Sequence, residues 1–403
     1  MKGFHRLSLL AGAALAACSS TGGNDGVMPG PSTGNTSTTA GNSSTTGGNA
    51  ATAGAPTGGA PIGGNGTSGA TTGGATTGGA TTAGAGAGGT PATGGGGTGG
   101  ATGGSNPGDD PIAHPLNITA APALHTHTVN TRQAGVDTRL PKIIGKLIIN
   151  VDVDDGGIYD YGIKHGFHVW GGKMFHCDIA QAVNTYMSKG RDFNGNCRWE
   201  TWDGVDHDAS AMVTPADSIQ GKVKQALTDL AAQFPEEGWA YFLSADGNVR
   251  WSDVGITGYS HGASSSIRWA MKTKVWRAVG RSGPRDNICG VLYSGKTCKE
   301  DVISAWLDED NKTPLDRVYG IAGTTDSEYG DIIFAMERMK YIGTPVDIKS
   351  MQPPYGGSHR LIANGVGHDD FNEKNGDRAY WPTMDYVWAP PAENIAYANA
   401  HPG

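Results

Sequence analysis

Residues 19 to about 110 contain runs such as GATTGGATTGGATTAGAGAGG, and this feature removes the whole stretch from any folding argument. Glycine, threonine and alanine dominate and large apolar side chains are almost absent, so burial cannot offset the entropy lost on ordering. A disordered tether is expected over 19–111, closed by SNPGDDP at 105 to 111. The core must come from 112–403, roughly 290 residues, a size that suits one large α/β domain rather than two.

Ahead of the tether stands MKGFHRLSLLAGAALAACSS. Lys2 and Arg6 give a positive start, Leu7 to Ala17 form a short apolar stretch, and small residues precede Cys18, the pattern of a secretion signal over 1–18. The stretch is too short to span a bilayer. Leu15-Ala16-Ala17-Cys18 resembles the lipobox of bacterial lipoproteins, and the resemblance implies lipidation at Cys18. Ser19 is not the aspartate linked to inner-membrane retention, so an outer-membrane or cell-surface protein, held to the membrane through its N-terminal lipid, is implied. Ordinary signal cleavage is the alternative.

Cys177, Cys197, Cys289 and Cys298 remain. Four cysteines in an exported chain suggest two disulfides with three possible connectivities, and the local pairs Cys177–Cys197 and Cys289–Cys298 are expected. The net charge is −8, with both signs interleaved through the folded part, which gives a nucleic acid nothing to bind.

From about 112 the texture changes. KLIINV (146 to 151), HGFHVWG (165 to 171), VGIT (254 to 257), RAVGRSG (277 to 283), RVYGIAG (317 to 323) and VDIKSM (346 to 351) read as strands. Ile219, Val223, Ala226, Leu227, Leu230 and Phe234 recur at helical spacing between Ser218 and Pro235, and DIIFAMERMKYIG reads as a helix stopped by Gly343. Alternating strands and helices predict a mainly parallel sheet with helices on both faces.

VGITGYSHGAS, 254 to 264, places a serine between glycines where an apolar run gives way to small residues. A strand that reverses into a helix puts its middle side chain at a strained corner, and flanking glycines relieve the crowding. Ser260 is that residue; as a bland alternative it would merely cap the helix. A serine hydroxyl needs a base within reach and a third group to orient the base. Downstream, RVYGIAGTTDSEYG presents Asp326 just past a strand, and ANGVGHDDF presents His368 in a glycine-containing loop. Asp286 in GPRDN and Glu328 are rival acids, and His359 in PPYGGSHRL is the rival histidine. His125 and His127 in HTHT read as a β segment with exposed imidazoles rather than a metal pair.

With GYSHG as elbow, GTTD as acid loop and GVGH as histidine loop, residues 112–403 resemble the α/β-hydrolase superfamily. The resemblance implies Ser260 as nucleophile, His368 as base and then acid, and Asp326 as the orienting carboxylate. It implies an oxyanion hole from the backbone N–H of His261 and a second N–H after KLIINV, at Val153 or Asp154. That loop, NVDVDDGG, departs from the His-Gly pair many members carry. Asp152, Asp154 and Asp155 bring negative charge to a place meant to stabilise it; a calcium site is the alternative reading of these carboxylates. Residues 177 to 208 form a long, irregular excursion of the kind that often overhangs a site, so Trp199, Trp202 and Tyr186 are pocket candidates, with packing under a disulfide-stapled loop as the equal alternative, and Tyr259 beside the nucleophile is a further pocket candidate. The implied activity is carboxylic-ester hydrolysis on a small-molecule or polymeric ester, without cofactor or metal. A peptidase or amidase would use the same three residues, and a non-catalytic surface binding module would keep the fold alone.

Overall fold

The computed structural model describes residues 116–151, 156–172, 188–209, 211–288, 300–368 and 378–401. All lie within Thr93–Gly403. The expected signal, Cys18 and the tether fall outside the described residues.

Among the described residues nine strands form one sheet: β1 Leu124–Val129, β2 Arg132–Asp137, β3 Leu147–Val151, β4 His168–Gly172, β5 Val254–Tyr259, β6 Arg277–Arg281, β7 Val318–Gly323, β8 Val346–Asp347 and β9 Arg360–Ala363. Their spatial order is β1-β2-β4-β3-β5-β6-β7-β9-β8. From β4 to β8 every neighbour is parallel, while β2 runs antiparallel to both of its neighbours, β1 and β4. This is the strand order of the α/β-hydrolase fold, with β5 at the centre.

Because successive side chains point to opposite faces, β3 feeds two cores. Leu147, Ile149 and Val151 pack with β5's Val254 and Ile256 under the helices Ile219–Gln233, His261–Lys272 and Tyr329–Arg338. Ile148 joins Val279, Tyr319 and Ile321 beneath Gly156–Lys164 and Trp381–Trp388. Buried on both faces, these strands lack polar alternation, as a parallel sheet requires. The helix expected behind Ser218 begins at Ile219, and the Ser218 side chain accepts the Gly221 N–H at 3.1 Å.

Two expectations need correction, and one strand was not foreseen. VDIKSM gives only the two-residue β8, because the chain turns at Asp347, whose side chain accepts the backbone N–H groups of Lys349 and Asn364. The hairpin partner β2, RQAGVD, has too few large apolar residues to announce itself. Much of the second half of the 177 to 208 excursion is regular: Phe193–Asp203 is a helix ended by Gly204 at φ 71°.

Candidate active site

At the carboxyl end of β5 the chain reverses into the helix His261–Lys272 within one residue. Ser260 holds φ 52° and ψ −110°, a conformation L-residues seldom adopt. The corner is possible because β5 and its helix touch through bare backbone: a Cβ on Gly258 would lie 2.4 Å from the carbonyl carbon and oxygen of Gly262. The Ser260 N–H donates to Arg281 O at 2.8 Å, so sheet bonding continues to the corner itself. The Ser260 side chain makes no capping bond to its helix, which excludes the capping reading.

The hydroxyl points instead to His368, with Oγ 2.8 Å from Nε2. On the other side of the ring, Nδ1 lies 2.6 Å from Asp326 Oδ2. An ionised carboxylate only accepts, so Nδ1 carries the proton and Nε2 is left to accept from Ser260. Asp326 is fully buried at its side chain, and its second oxygen accepts the Glu328 N–H at 2.7 Å. The loops after β7 and β9 are tied together by Thr325 N–H to Val366 O, 3.0 Å, and the Ser282 hydroxyl, just past β6, donates to His368 O at 3.0 Å.

The rivals have other occupations. Asp286 is buried in a two-oxygen pair with Arg198, at 2.7 and 2.8 Å, and also accepts the Trp306 indole N–H. Glu328 pairs with Arg285. His359 is buried, stacked on Tyr319 with ring centroids 4.0 Å apart, and hydrogen-bonded to Leu315 and Val318 carbonyls. Burial lowers its pKa, and it stands away from Ser260 at the start of β9.

Of the oxyanion candidates, His261 is the first residue of the elbow helix, where N–H groups precede the internal hydrogen-bond ladder. Val153 and Asp154, and with them the calcium alternative, lie outside the described residues. Among those described, no group of three or more His, Cys, Asp or Glu is placed to hold a metal.

The pocket candidates separate. Tyr259 is at the site, its ring centroid 5.2 Å from that of His368. Trp202 is a core residue, 1 % exposed and packed between Trp251 and Trp269. Trp199 stacks on His207 at 3.9 Å and lies under the Lys272 ammonium, so its faces are already taken. Tyr186 lies outside the described residues.

Cys197 is buried against Ala211 and Val213. Cys177, Cys289 and Cys298 lie outside the described residues. His125 and His127 are not open imidazoles: both face the buried Glu237 carboxylate, at 3.0 and 2.8 Å, which the 3-10 turn Pro235–Glu237 brings in from more than a hundred residues along the chain.

On an α/β-hydrolase fold, Ser260, His368 and Asp326 stand in one continuous run of hydrogen bonds. No family model and no curated protein matches the chain. Among solved structures, it is similar to a truncated carbohydrate esterase from gut microbiota (15 % identity, 70 % of this chain and 99 % of that one, TM-score 0.35). It is also similar to an S-formylglutathione hydrolase from Agrobacterium tumefaciens (11 %, 70 % and 98 %, 0.33) and an α/β serine hydrolase homologue from Coxiella burnetii (13 %, 68 % and 99 %, 0.32). The strand order and the strained strand-to-helix corner at Ser260 define the fold.

Proposed function

We propose that the protein is a serine hydrolase acting on carboxylic esters through Ser260, His368 and Asp326. The observation that carries this reading is the unbroken run of hydrogen bonds from Ser260 Oγ through the His368 ring to the buried Asp326 carboxylate. A binding module has no need of a strained serine aimed at an oriented imidazole.

Ser260 Oγ attacks the ester carbonyl carbon while its proton passes to His368 Nε2, and the carbonyl π pair moves onto oxygen. Asp326 stabilises the resulting imidazolium without taking its proton. The His261 N–H, at the positive end of its helix, receives the oxyanion. Collapse breaks the ester C–O bond, and the leaving alkoxide takes the proton from Nε2. Water then attacks the acyl-enzyme, again giving its proton to His368, and the acid leaves as Ser260 recovers its hydrogen. Esters are favoured over amides because an alkoxide leaves with less protonation than an amine nitrogen demands. We further propose that Cys18 carries a lipid, that Cys197 pairs with Cys177, and that the enzyme is displayed at a bacterial surface.

The test is hydrolysis of short- and long-chain p-nitrophenyl esters by the full chain, beside fluorophosphonate labelling, with Ser260→Ala as control. Labelling and turnover that vanish together in the mutant support the reading. A folded wild type that neither labels nor turns over overturns it.

A further inference from the structure

Arg198 lies far from the elbow in sequence, yet its side chain, 1 % exposed, ends in the first turn of the elbow helix. Its Nε and Nη2 bind both oxygens of Asp286, at 2.7 and 2.8 Å. Its Nη1 donates to Ser265 Oγ at 2.7 Å and to the backbone carbonyl of His261 at 3.0 Å. Ser265, itself buried, donates to that same carbonyl at 3.0 Å, closing a triangle. The guanidinium is held from behind: Trp306 Nε1 donates to Asp286, and Trp269 Nε1 to the Arg198 carbonyl, each at 2.7 Å.

The carbonyl chosen is informative. It belongs to the residue directly after the nucleophile, whose N–H is the proposed oxyanion donor. The peptide planes on either side of the His261 Cα share its two torsions, so clamping the carbonyl plane limits where the N–H plane can point. Asp286 balances the guanidinium charge at contact distance, so the arrangement acts through geometry rather than through the field of a free cation. Lysine cannot reproduce it, because one ammonium cannot hold two carboxylate oxygens, a hydroxyl and a carbonyl in a fixed plane.

We propose that Arg198, fixed by Asp286, is a positioning residue that aims the His261 N–H at the developing oxyanion. This rests on the serine-hydrolase reading above. It also gives the helix Phe193–Asp203 a role as a fixed buttress of the nucleophile corner.

The experiment compares wild type, Arg198→Lys and Ser265→Ala in the full chain, each checked for folding by circular dichroism. It measures kcat and KM on p-nitrophenyl acetate, the affinity of an alkyl boronic acid as tetrahedral mimic, and the acid limb of the pH–rate profile. In Arg198→Lys, kcat is expected to fall about tenfold or more, since small misplacements of catalytic groups carry costs of this order. Boronate affinity should fall by the same factor, while KM and the acid limb, set by substrate binding and by His368, stay where they are. Ser265→Ala, a milder lesion that leaves the Arg198–Asp286 pair intact, should show the same pattern at a few-fold and keeps the test alive if Arg198→Lys does not fold. A folded Arg198→Lys with wild-type kcat, or one whose kcat falls while boronate affinity holds, overturns the proposal. A folded wild type that is inactive and unlabelled removes the hydrolase reading and the proposal together.

Discussion

The His368 Nδ1 lies 2.6 Å from a carboxylate oxygen of Asp326, across forty-two residues of chain. That contact sets the tautomer of the ring, and with it the direction in which Ser260 can give up its proton. Asp326→Asn should therefore leave the fold intact and lower kcat by roughly 10⁴-fold, because an amide at this position favours the wrong tautomer. Single-turnover acylation kinetics at neutral pH check this; a loss of less than tenfold would show that the ring is oriented by something else.

The corner at Ser260 is strained, and strain is measurable in the folded state alone. Ser260→Gly should be more stable than Ser260→Ala by about 1–2 kcal/mol, because glycine accepts φ 52° and ψ −110° and alanine does not. Both variants lack the hydroxyl, so the difference isolates the backbone. Urea unfolding of the pair provides the comparison, and equal midpoints would refute the strain.

Gly258 faces backbone rather than a side chain. Gly258→Ala would place a methyl 2.4 Å from the Gly262 carbonyl, forcing the helix away from β5. A loss of about 1–3 kcal/mol is expected, as for overpacking elsewhere, together with loss of serine labelling as the corner moves off His368. Wild-type labelling rates in a folded Gly258→Ala would contradict the close contact.

Two buried histidines tie stability to pH. His168 and His165 have pKa values lowered to about 4, first of all by burial. Their contribution is fully present above the ordinary value near 6.5 and is lost as pH falls toward 4; for the wholly buried His168 it amounts to roughly 3 kcal/mol. Asp385 works in the opposite direction: burial raises it to about 6, so the folded state weakens as pH rises from about 4 to 6. Asp385→Asn should therefore gain stability relative to wild type between pH 4 and pH 7, whereas His168→Gln should flatten the acid loss. Chemical unfolding at pH 4, 5.5 and 7 reads both, and parallel curves for all three proteins would refute the assignment.

Much of the site was legible in the linear chain because its signals are local. A serine between glycines at the end of an apolar run describes a corner that only small residues permit, and an acid and a histidine just past later strands fall at one sheet edge once the strands lie parallel. The β3, β5, β6 and β7 runs carry no polar alternation, which already marks a sheet covered on both faces. What the chain could not show depends on neighbours distant in sequence. Asp286 and Asp326 both follow strands and look alike as candidate acids; only tertiary packing gives Asp286 to Arg198 and leaves Asp326 to His368. Trp202 and Trp199 are aromatic in a long excursion, and nothing in their spacing says that Trp251, Trp269, His207 and Lys272 have already claimed their faces. Periodicity and small residues determine where strands end and corners turn, because those are steric properties of a short segment. Which charged group meets which partner is decided by the assembled sheet and its helices, where burial makes an unpaired charge too costly and each must find its counterpart across the fold.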